Sequence, residues 1–395
     1  MSPSIKSVLK KSQGRVRLLE AHDHATKETI RGTFSEDGES FDGIWLSGLT
    51  QTTYLGIPDT ELISPLQRAV HMSGSNNNIQ QDGRRPLCAA FDADSGGNVE
   101  EIPQLISCLL SLGISMVIIE DKSLTSPGQK VNSLAGASHS QGQANMYEFA
   151  TILQAFRDAA RDREIMITAR IESFTTRTPD ENEAKEFTSV QLALEDALAR
   201  AELYKSCGAD AIMIHSKSKS PLEVLSFLTQ FRSQDADTPL VVVPTTYGSI
   251  TDKELHQAGA NIIIYANHLM RAKIAAVDAI STFLLATRQS GFSFGNKSWD
   301  RALQFRNFGY LLQKLEKAES LSESAREYRA LAMTYALIHV KKVIKVLLQG
   351  RNARAADNYI ITAKELLNIN SQQISPLNNL LLEEEKGKEL YTAKL

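Results

Sequence analysis

Asp92 and Asp94 stand two apart in FDADSGG, residues 91–97, and a third carboxylate, Glu120, closes the apolar run SMVIIE. Asp59, at the end of GIPD, is a fourth acid of this kind. Without histidine or cysteine beside them these groups form an all-oxygen donor set, which suits a hard cation and favours Mg2+ over zinc. Mg2+ takes only one or two carboxylates directly, so the remaining acids would hold its water. On a continuing strand Asp92 and Asp94 face one side, and the small Ala93 and following SGG let ligand and backbone come close. The plain alternative is a like-charge cluster relieved by Arg or Lys. Arg170, in TARIES, carries a guanidinium fork that matches a carboxylate or phosphoryl group. His215, in IMIHS, adds a second donor, although a lone histidine at a strand end is as often structural. The stretch LSGLT, 46–50, could present consecutive backbone N–H groups as an anion nest. A metal, a nest and an arginine clamp together suit a small, multiply anionic oxo-acid.

These residues lie far apart in sequence, so the fold must gather them. Eight short apolar runs recur: VRLLEAH (16–22), DGIWLSG (42–48), PLCAAFDAD (86–94), SMVIIED (115–121), IMITARIES (165–173), ADAIMIHS (209–216), PLVVVPTT (239–246) and NIIIYANH (261–268). Nearly continuous hydrophobicity marks parallel strands buried on both faces. Helical stretches separate them, such as 189–208, with Leu192, Leu194, Ala197, Ala201 and Leu203 on one broad face and Gly208 as its stop. The pattern predicts an α/β fold, a closed (β/α)8 TIM barrel over residues 1–290. An open doubly wound sheet is the competing architecture, but no GxGxxG follows the first strand. Ser47, Asp92, Asp94, Glu120, Asp121, Arg170, Glu172, His215, Ser216, Thr245 and Asn267 all fall at the carboxyl ends of these runs. In a barrel those ends converge on one mouth, where active sites lie.

Composition excludes other classes. The 395 residues are 42% hydrophobic and 23% charged, with a net charge of −3. Such a balance gives no reason to expect nucleic acid or an anionic membrane as partner. Three cysteines, Cys88, Cys108 and Cys207, form no CxxC and no disulfide framework, which suits a reducing compartment. The polar start MSPSIKSVLKKSQGR lacks a secretory core, and no apolar run spans a bilayer, so a cytoplasmic protein is expected. Residues 291–395 turn strongly helical, with Met333, Leu337, Val340, Ile344 and Leu347 at helical spacing and Gly350 as a stop. Such a broad apolar face must be buried against something.

Taken in order, GIWLSGLTQTTYLGIPD (43–59), FDADSGG (91–97), EDK and NS (120–133), TARIES (168–173), GADAIMIHSK (208–217), VPTTY (243–247) and ANHLMR (266–271) resemble phosphoenolpyruvate mutase, in the isocitrate lyase superfamily. The resemblance covers about residues 15–290, and it implies a homo-oligomer, a dimer or tetramer, that the helical extension serves, an extra interaction module being the alternative. It implies a Mg2+-dependent interconversion of phosphoenolpyruvate and phosphonopyruvate, in which the phosphoryl group moves between the enol oxygen and C3. By motif, Asp92 is implied as the direct metal ligand, while Asp59, Asp94 and Glu120 hold the metal's water. Asp59 also matches a phosphoryl acceptor. Trp45, Ser47, Gly48 and Leu49 match the segment that binds the substrate carboxylate. Arg170 and His215 match groups near the phosphoryl, and Lys130, Asn132 and Ser133 match a gating loop, here about 123–145.

Four features depart from that pattern. Nine residues, SLTSPGQKV, separate EDK from NS, more than in the family. Leu46 follows the tryptophan where the family has glycine, and SGGN follows the Asp pair in place of TGYG. A polar insert, SGSNNNIQQDGRR, occupies 73–85. The same scaffold also carries phosphonopyruvate hydrolases and C–C lyases. The lyases use a loop cysteine as acid and base, and residues 120–145 contain none. A non-catalytic assembly homologue has no physical need for so many unrelieved acids.

Overall fold

All eight runs form strands, and they pair in parallel and in sequence order until the last meets the first. In the computed structural model they are β1 (Val16–Glu20), β2 (Gly43–Leu46), β3 (Cys88–Asp92), β4 (Met116–Glu120), β5 (Met166–Ile171), β6 (Ala211–Ile214), β7 (Leu240–Val242) and β8 (Ile262–Tyr265). Residues 2–35, 37–74, 85–123, 142–161, 163–176 and 183–287 are described. The chain divides into two compact units, Met1–Arg271 and Ala272–Leu395. The first unit holds the closed barrel of a (β/α)8 fold. Of the second, only the end of the helix His268–Thr287 is described. The helices read from 291 onward and most of the 73–85 insert lie outside the described residues.

Side chains alternate across each strand, so one parity points into the barrel and the other into the helix layer. The inward set is Val16, Leu18, Trp45, Cys88, Ala90, Met116, Ile118, Met166, Ala211, Met213, Val241, Ile262 and Ile264. The outward set, including Leu19, Ile44, Phe91, Val117, Ile167, Ile212 and Ile263, meets Phe149, Phe156, Tyr204 and Phe227 from the helices. A helix of seven residues, Ile5–Lys11, precedes β1. Its Ile5 is fully buried with the inward set, and Val8 and Leu9 pack beside it. The Ile5 N–H donates to Ser115 Oγ at 3.0 Å, ahead of β4, so this helix closes the amino-terminal end of the barrel.

Helix ends follow local chemistry. Thr251 and Glu254 form a reciprocal capping box at the start of Asp252–Gln257. The long helix expected at 189–208 is Glu183–Ser206, and Gly208, at φ +102°, turns the chain into β6. Leu46, where the family has glycine, belongs to the outward set and fits the helix layer, away from the mouth.

Gly43 shows how tightly the first strands meet. Opposite Cys88 in the register, a Cβ at Gly43 would sit 2.4 Å from both the carbonyl oxygen and Sγ of Cys88. We expect Gly43→Ala to lower stability by about 1–3 kcal/mol through overpacking. Urea denaturation measures this, and an unchanged midpoint would contradict the packing described.

Candidate active site

The inward parity that is apolar at the base of each strand turns polar at its carboxyl end. From Ala90 it reaches Asp92, from Ile118 Glu120 and Lys122, from Thr168 Arg170 and Glu172, and from Met213 His215. These ends enclose a cavity of about 70 Å3 lined by Trp45, Ser47, Leu49, Asp59, Asp92, Glu120, Lys122, Arg170, Met213, His215, Val243, Thr245, Ala266 and Asn267. Its size admits a small ligand and excludes a bulky one, since pockets for drug-sized molecules run to several hundred Å3. A larger cavity, about 460 Å3, lies outside the barrel against Ile44, Leu46 and Ala89. It gathers none of the converging acids except through Arg68 beside it, so the chemistry belongs to the smaller one.

Charges alternate within the mouth. Glu120 and Arg170 are partners in the β4–β5 register, and Arg170 Nη1 lies 3.2 Å from Glu120 Oε2 while Nη2 lies 2.5 Å from Glu172 Oε1. Lys122 Nζ is 3.5 Å from Glu120 Oε2, and both side chains are buried. Burial opposes the charge on Arg170, yet Glu172, Glu120 and Asp92 outweigh it and raise its pKa. Burial likewise opposes the charge on Glu172, but Arg170, Lys122 and His215 hold that carboxyl well below its usual range. His215 Nδ1 lies 3.1 Å from Arg170 Nη2 and 3.4 Å from Glu172 Oε1. Burial, then Arg170, lowers the histidine pKa despite Glu172. Nδ1 therefore faces both an obligate donor, Arg170, and an obligate acceptor, Glu172.

Asp92 and Asp94 do converge, although not by strand alternation. The strand ends at Asp92, and Asp94 takes a left-handed backbone, φ +49°, which Asp tolerates better than most residues. Gly48 lies against both acids: its N–H donates to Asp92 Oδ2 at 3.0 Å. A Cβ there would sit 2.9 Å from Asp94 Oδ1 and 3.3 Å from Asp92 Oδ2, so glycine keeps this cradle open. Ser47 and Leu49 line the mouth as expected, but the Gly48 amide of the expected nest is directed at Asp92.

Glu61, Arg68 and Lys122 were not singled out in the sequence. Glu61, Asp94 and Glu120 each present an oxygen within 4.8 Å of the others, and Glu61 also accepts from Ser95 N and Oγ at 2.9 and 2.8 Å. Arg68 reaches Asp94 Oδ2 at 2.6 Å. Lys122 and Glu172 were legible as the residues two beyond Glu120 and Arg170, whose faces they share. Arg68 and Glu61 carried no comparable signal. Among the described residues, three bases, Arg68, Lys122 and Arg170, thus stand among six acids, Asp59, Glu61, Asp92, Asp94, Glu120 and Glu172. The oxygen donors of this cluster fit a divalent cation.

Asp121 corrects one expectation. Of outward parity, it does not line the mouth but lies in the helix layer, accepting from Tyr204 Oη at 2.9 Å, Arg200 Nη1 at 3.1 Å and Gln143 Nε2 at 2.9 Å. Burial pushes its carboxyl up to about 6, against the pull of Arg200. Its other oxygen accepts from the Glu172 N–H at 2.9 Å, which ties the end of β5 to the end of β4. Ser216, also outward, donates to Glu223. Lys130, Asn132 and Ser133 lie outside the described residues.

Comparison with known proteins places this geometry. The family profile described as phosphoenolpyruvate phosphomutase matches residues 5–285, and the chain belongs to that family. The phosphoenolpyruvate phosphomutase of Tetrahymena pyriformis is 30% identical over 265 residues, 67% of this chain and 77% of that protein. The phosphonopyruvate hydrolase of Variovorax sp. (strain Pal2) is also 30% identical, over 239 residues, 60% of this chain and 73% of that protein. A crystal structure of the phosphoenolpyruvate phosphomutase from Streptomyces platensis subsp. rosaceus superposes with a TM-score of 0.60 at 31% identity, covering 80% of this chain and 98% of that one. Members of the family and its relatives are enzymes, of mutase, hydrolase and lyase activity.

The His215 environment has a pH consequence. A lowered native pKa means that the unfolded chain binds the proton first, so stability from this group is present above about 6.5 and is lost as pH falls toward the native value. NMR titration, with the resonance assigned through His215→Gln, should find this imidazole titrating below 6.5. A midpoint at or above that value would contradict the neutral ring.

Proposed function

We propose that this chain is a mutase that interconverts phosphoenolpyruvate and phosphonopyruvate with Mg2+ as cofactor. The observation that carries the reading is the meeting of Asp59, Asp92 and Glu120 with Arg170 and His215 around one small cavity, in a member of this family. The 30% identity to the Tetrahymena pyriformis mutase supports it. Asp92 would hold the metal directly, with Asp59, Asp94 and Glu120 on its water. When bound, Mg2+ supplies positive charge to the oxygens of the oxo-acid.

The protein's own groups account for the remaining requirements. The Gly48 N–H is engaged by Asp92 Oδ2, so the backbone N–H groups of Ser47 and Leu49 receive the substrate carboxylate beside Trp45, and Arg170 and His215 bind phosphoryl oxygens. An Asp59 oxygen attacks phosphorus as the bond from phosphorus to the enol oxygen breaks, leaving its electron pair on the pyruvate enolate. C3 of that enolate then attacks phosphorus, the bond to Asp59 breaks, and the carboxylate is regenerated. No proton is consumed. Phosphoryl transfer of this kind depends on positioning and charge stabilisation. Water at the phosphorylated Asp59 would give phosphate and pyruvate instead, so water exclusion decides between mutase and hydrolase. The family resemblance would give that role to Lys130, Asn132 and Ser133.

Phosphonopyruvate hydrolase is the second reading, favoured by the Variovorax relative at 30% identity and by the nine-residue spacing between EDK and NS. A lyase reading lacks its acid and base. Cys88 faces the barrel interior below the mouth, where burial pushes its thiol up to about 12, and neither Cys108 nor Cys207 lines the cavity.

Phosphorus NMR of phosphonopyruvate with the protein and Mg2+ should show phosphoenolpyruvate growing without inorganic phosphate. Phosphate as the main product would replace the mutase with the hydrolase. Asp92→Ala should slow turnover about 100-fold or more, and an unchanged rate would contradict the metal role. Asn132→Ala should raise the share of phosphate, whereas an unaltered product ratio would remove Asn132 from water exclusion.

A further inference from the structure

Among the described residues, Arg68 is a basic residue of this site that a helix, Pro65–Gly74, supplies. It is 2% exposed. Nη2 donates both to Asp94 Oδ2 and to the Asp92 carbonyl oxygen, each at 2.6 Å, while Nη1 donates to Gln51 Oε1 at 2.6 Å. The guanidinium also lies 5.0 Å from the centroid of the Phe91 ring. Its position is therefore fixed from four directions: two acceptors on the end of β3, an amide on the helix Gly48–Tyr54, and an aromatic face. A long side chain with much rotamer freedom is being held in one place, and the place is behind the acid pair.

The acids differ accordingly. Asp59, Asp92 and Glu120 line the mouth, whereas Asp94 does not, and one of its oxygens is taken by Arg68. Its Oδ1 is the atom nearest a Cβ at Gly48, so Asp94 stands between the guanidinium and the cradle beside Asp92. A buried carboxylate with a buried cation on one oxygen is largely compensated before any metal arrives. Removal of the guanidinium takes one positive charge from beside Asp94 and makes the site more negative. Any cation that then enters would be drawn to it.

We propose that Arg68 is a positioning residue that pins Asp94 behind the metal site and, by compensating its charge, keeps the affinity of the empty site for divalent cations low. The inference rests on the metal reading given above. It assigns Arg68 no contact with substrate. The helix that carries Arg68 thereby sets the charge seen by a cation at the barrel mouth.

Calorimetric titration of Mg2+ into the full-length, metal-free protein without substrate tests the proposal independently of turnover. Arg68→Met should bind Mg2+ at least threefold tighter than the native chain. Its thermal midpoint should be lower without metal and should rise more on addition of Mg2+, because a ligand that binds the native state stabilises it in proportion to its affinity. Arg68→Lys retains the charge and should bind within twofold of native. Affinity in Arg68→Met that is unchanged, weaker or less than threefold tighter would overturn the role of Arg68 while leaving the metal site standing. Should Arg68→Met fail to fold, Arg68→Lys decides: a departure beyond twofold in either direction would show that charge is not the operative property. A native chain that binds no Mg2+ would overturn both this inference and the metal reading.

Discussion

Arg170 sits between two buried carboxylates, Glu120 and Glu172, and the mouth is organised around that sandwich. None of the three could be kept charged alone in this place, since an isolated buried ion costs far more than a single contact returns. Together they hold one another in register across β4 and β5. Lys122 and His215 complete the arrangement from the same two strand ends and from β6. The result is a rigid, charged rim with cationic and anionic positions fixed before substrate binds. Such preorganisation matters most where charge must be stabilised without reorganisation.

A second layer supports the rim from outside. Asp121, of opposite parity to Glu120, receives Tyr204, Arg200 and Gln143 in the helix layer and accepts from the Glu172 N–H. Asp196, Arg200 and Tyr204 recur at four-residue spacing on one helix, and Arg200 Nε pairs with Asp196 at 2.8 Å. Neighbouring residues of one strand thus serve two purposes: Glu120 builds the site, and Asp121 locks the strand end to the surrounding helices.

Much of this was legible in the sequence, for a physical reason. Strands buried on both faces read as apolar runs, and all eight were located from that signal with only their ends shifted. The polar residues that close those runs lead to the mouth when they share parity with the inward apolar residues, as Asp92, Glu120, Arg170 and His215 do. Asp121 was misplaced because position at a strand end was read without parity. Arg68 was not found, since nothing in PLQRAVHMSG distinguishes an arginine bound for solvent from one that folds under the barrel rim. Its partner Asp94 was expected on a continuing strand, yet the chain turns left-handed there. Long-range contacts of this sort depend on how a helix docks, which a linear pattern does not encode. Asp59 reaches the mouth from a loop and was legible only through its motif.

The central claim is that these carboxylates form one metal site beside the Arg170 sandwich. A crystal structure with Mg2+ and oxalate, a small dianion resembling the enolate of pyruvate, tests it most directly. The account predicts the metal on Asp92, with Asp59, Asp94 and Glu120 reached through water and Arg170 still between Glu120 and Glu172. A metal bound elsewhere, or Arg170 withdrawn from both carboxylates, would contradict it.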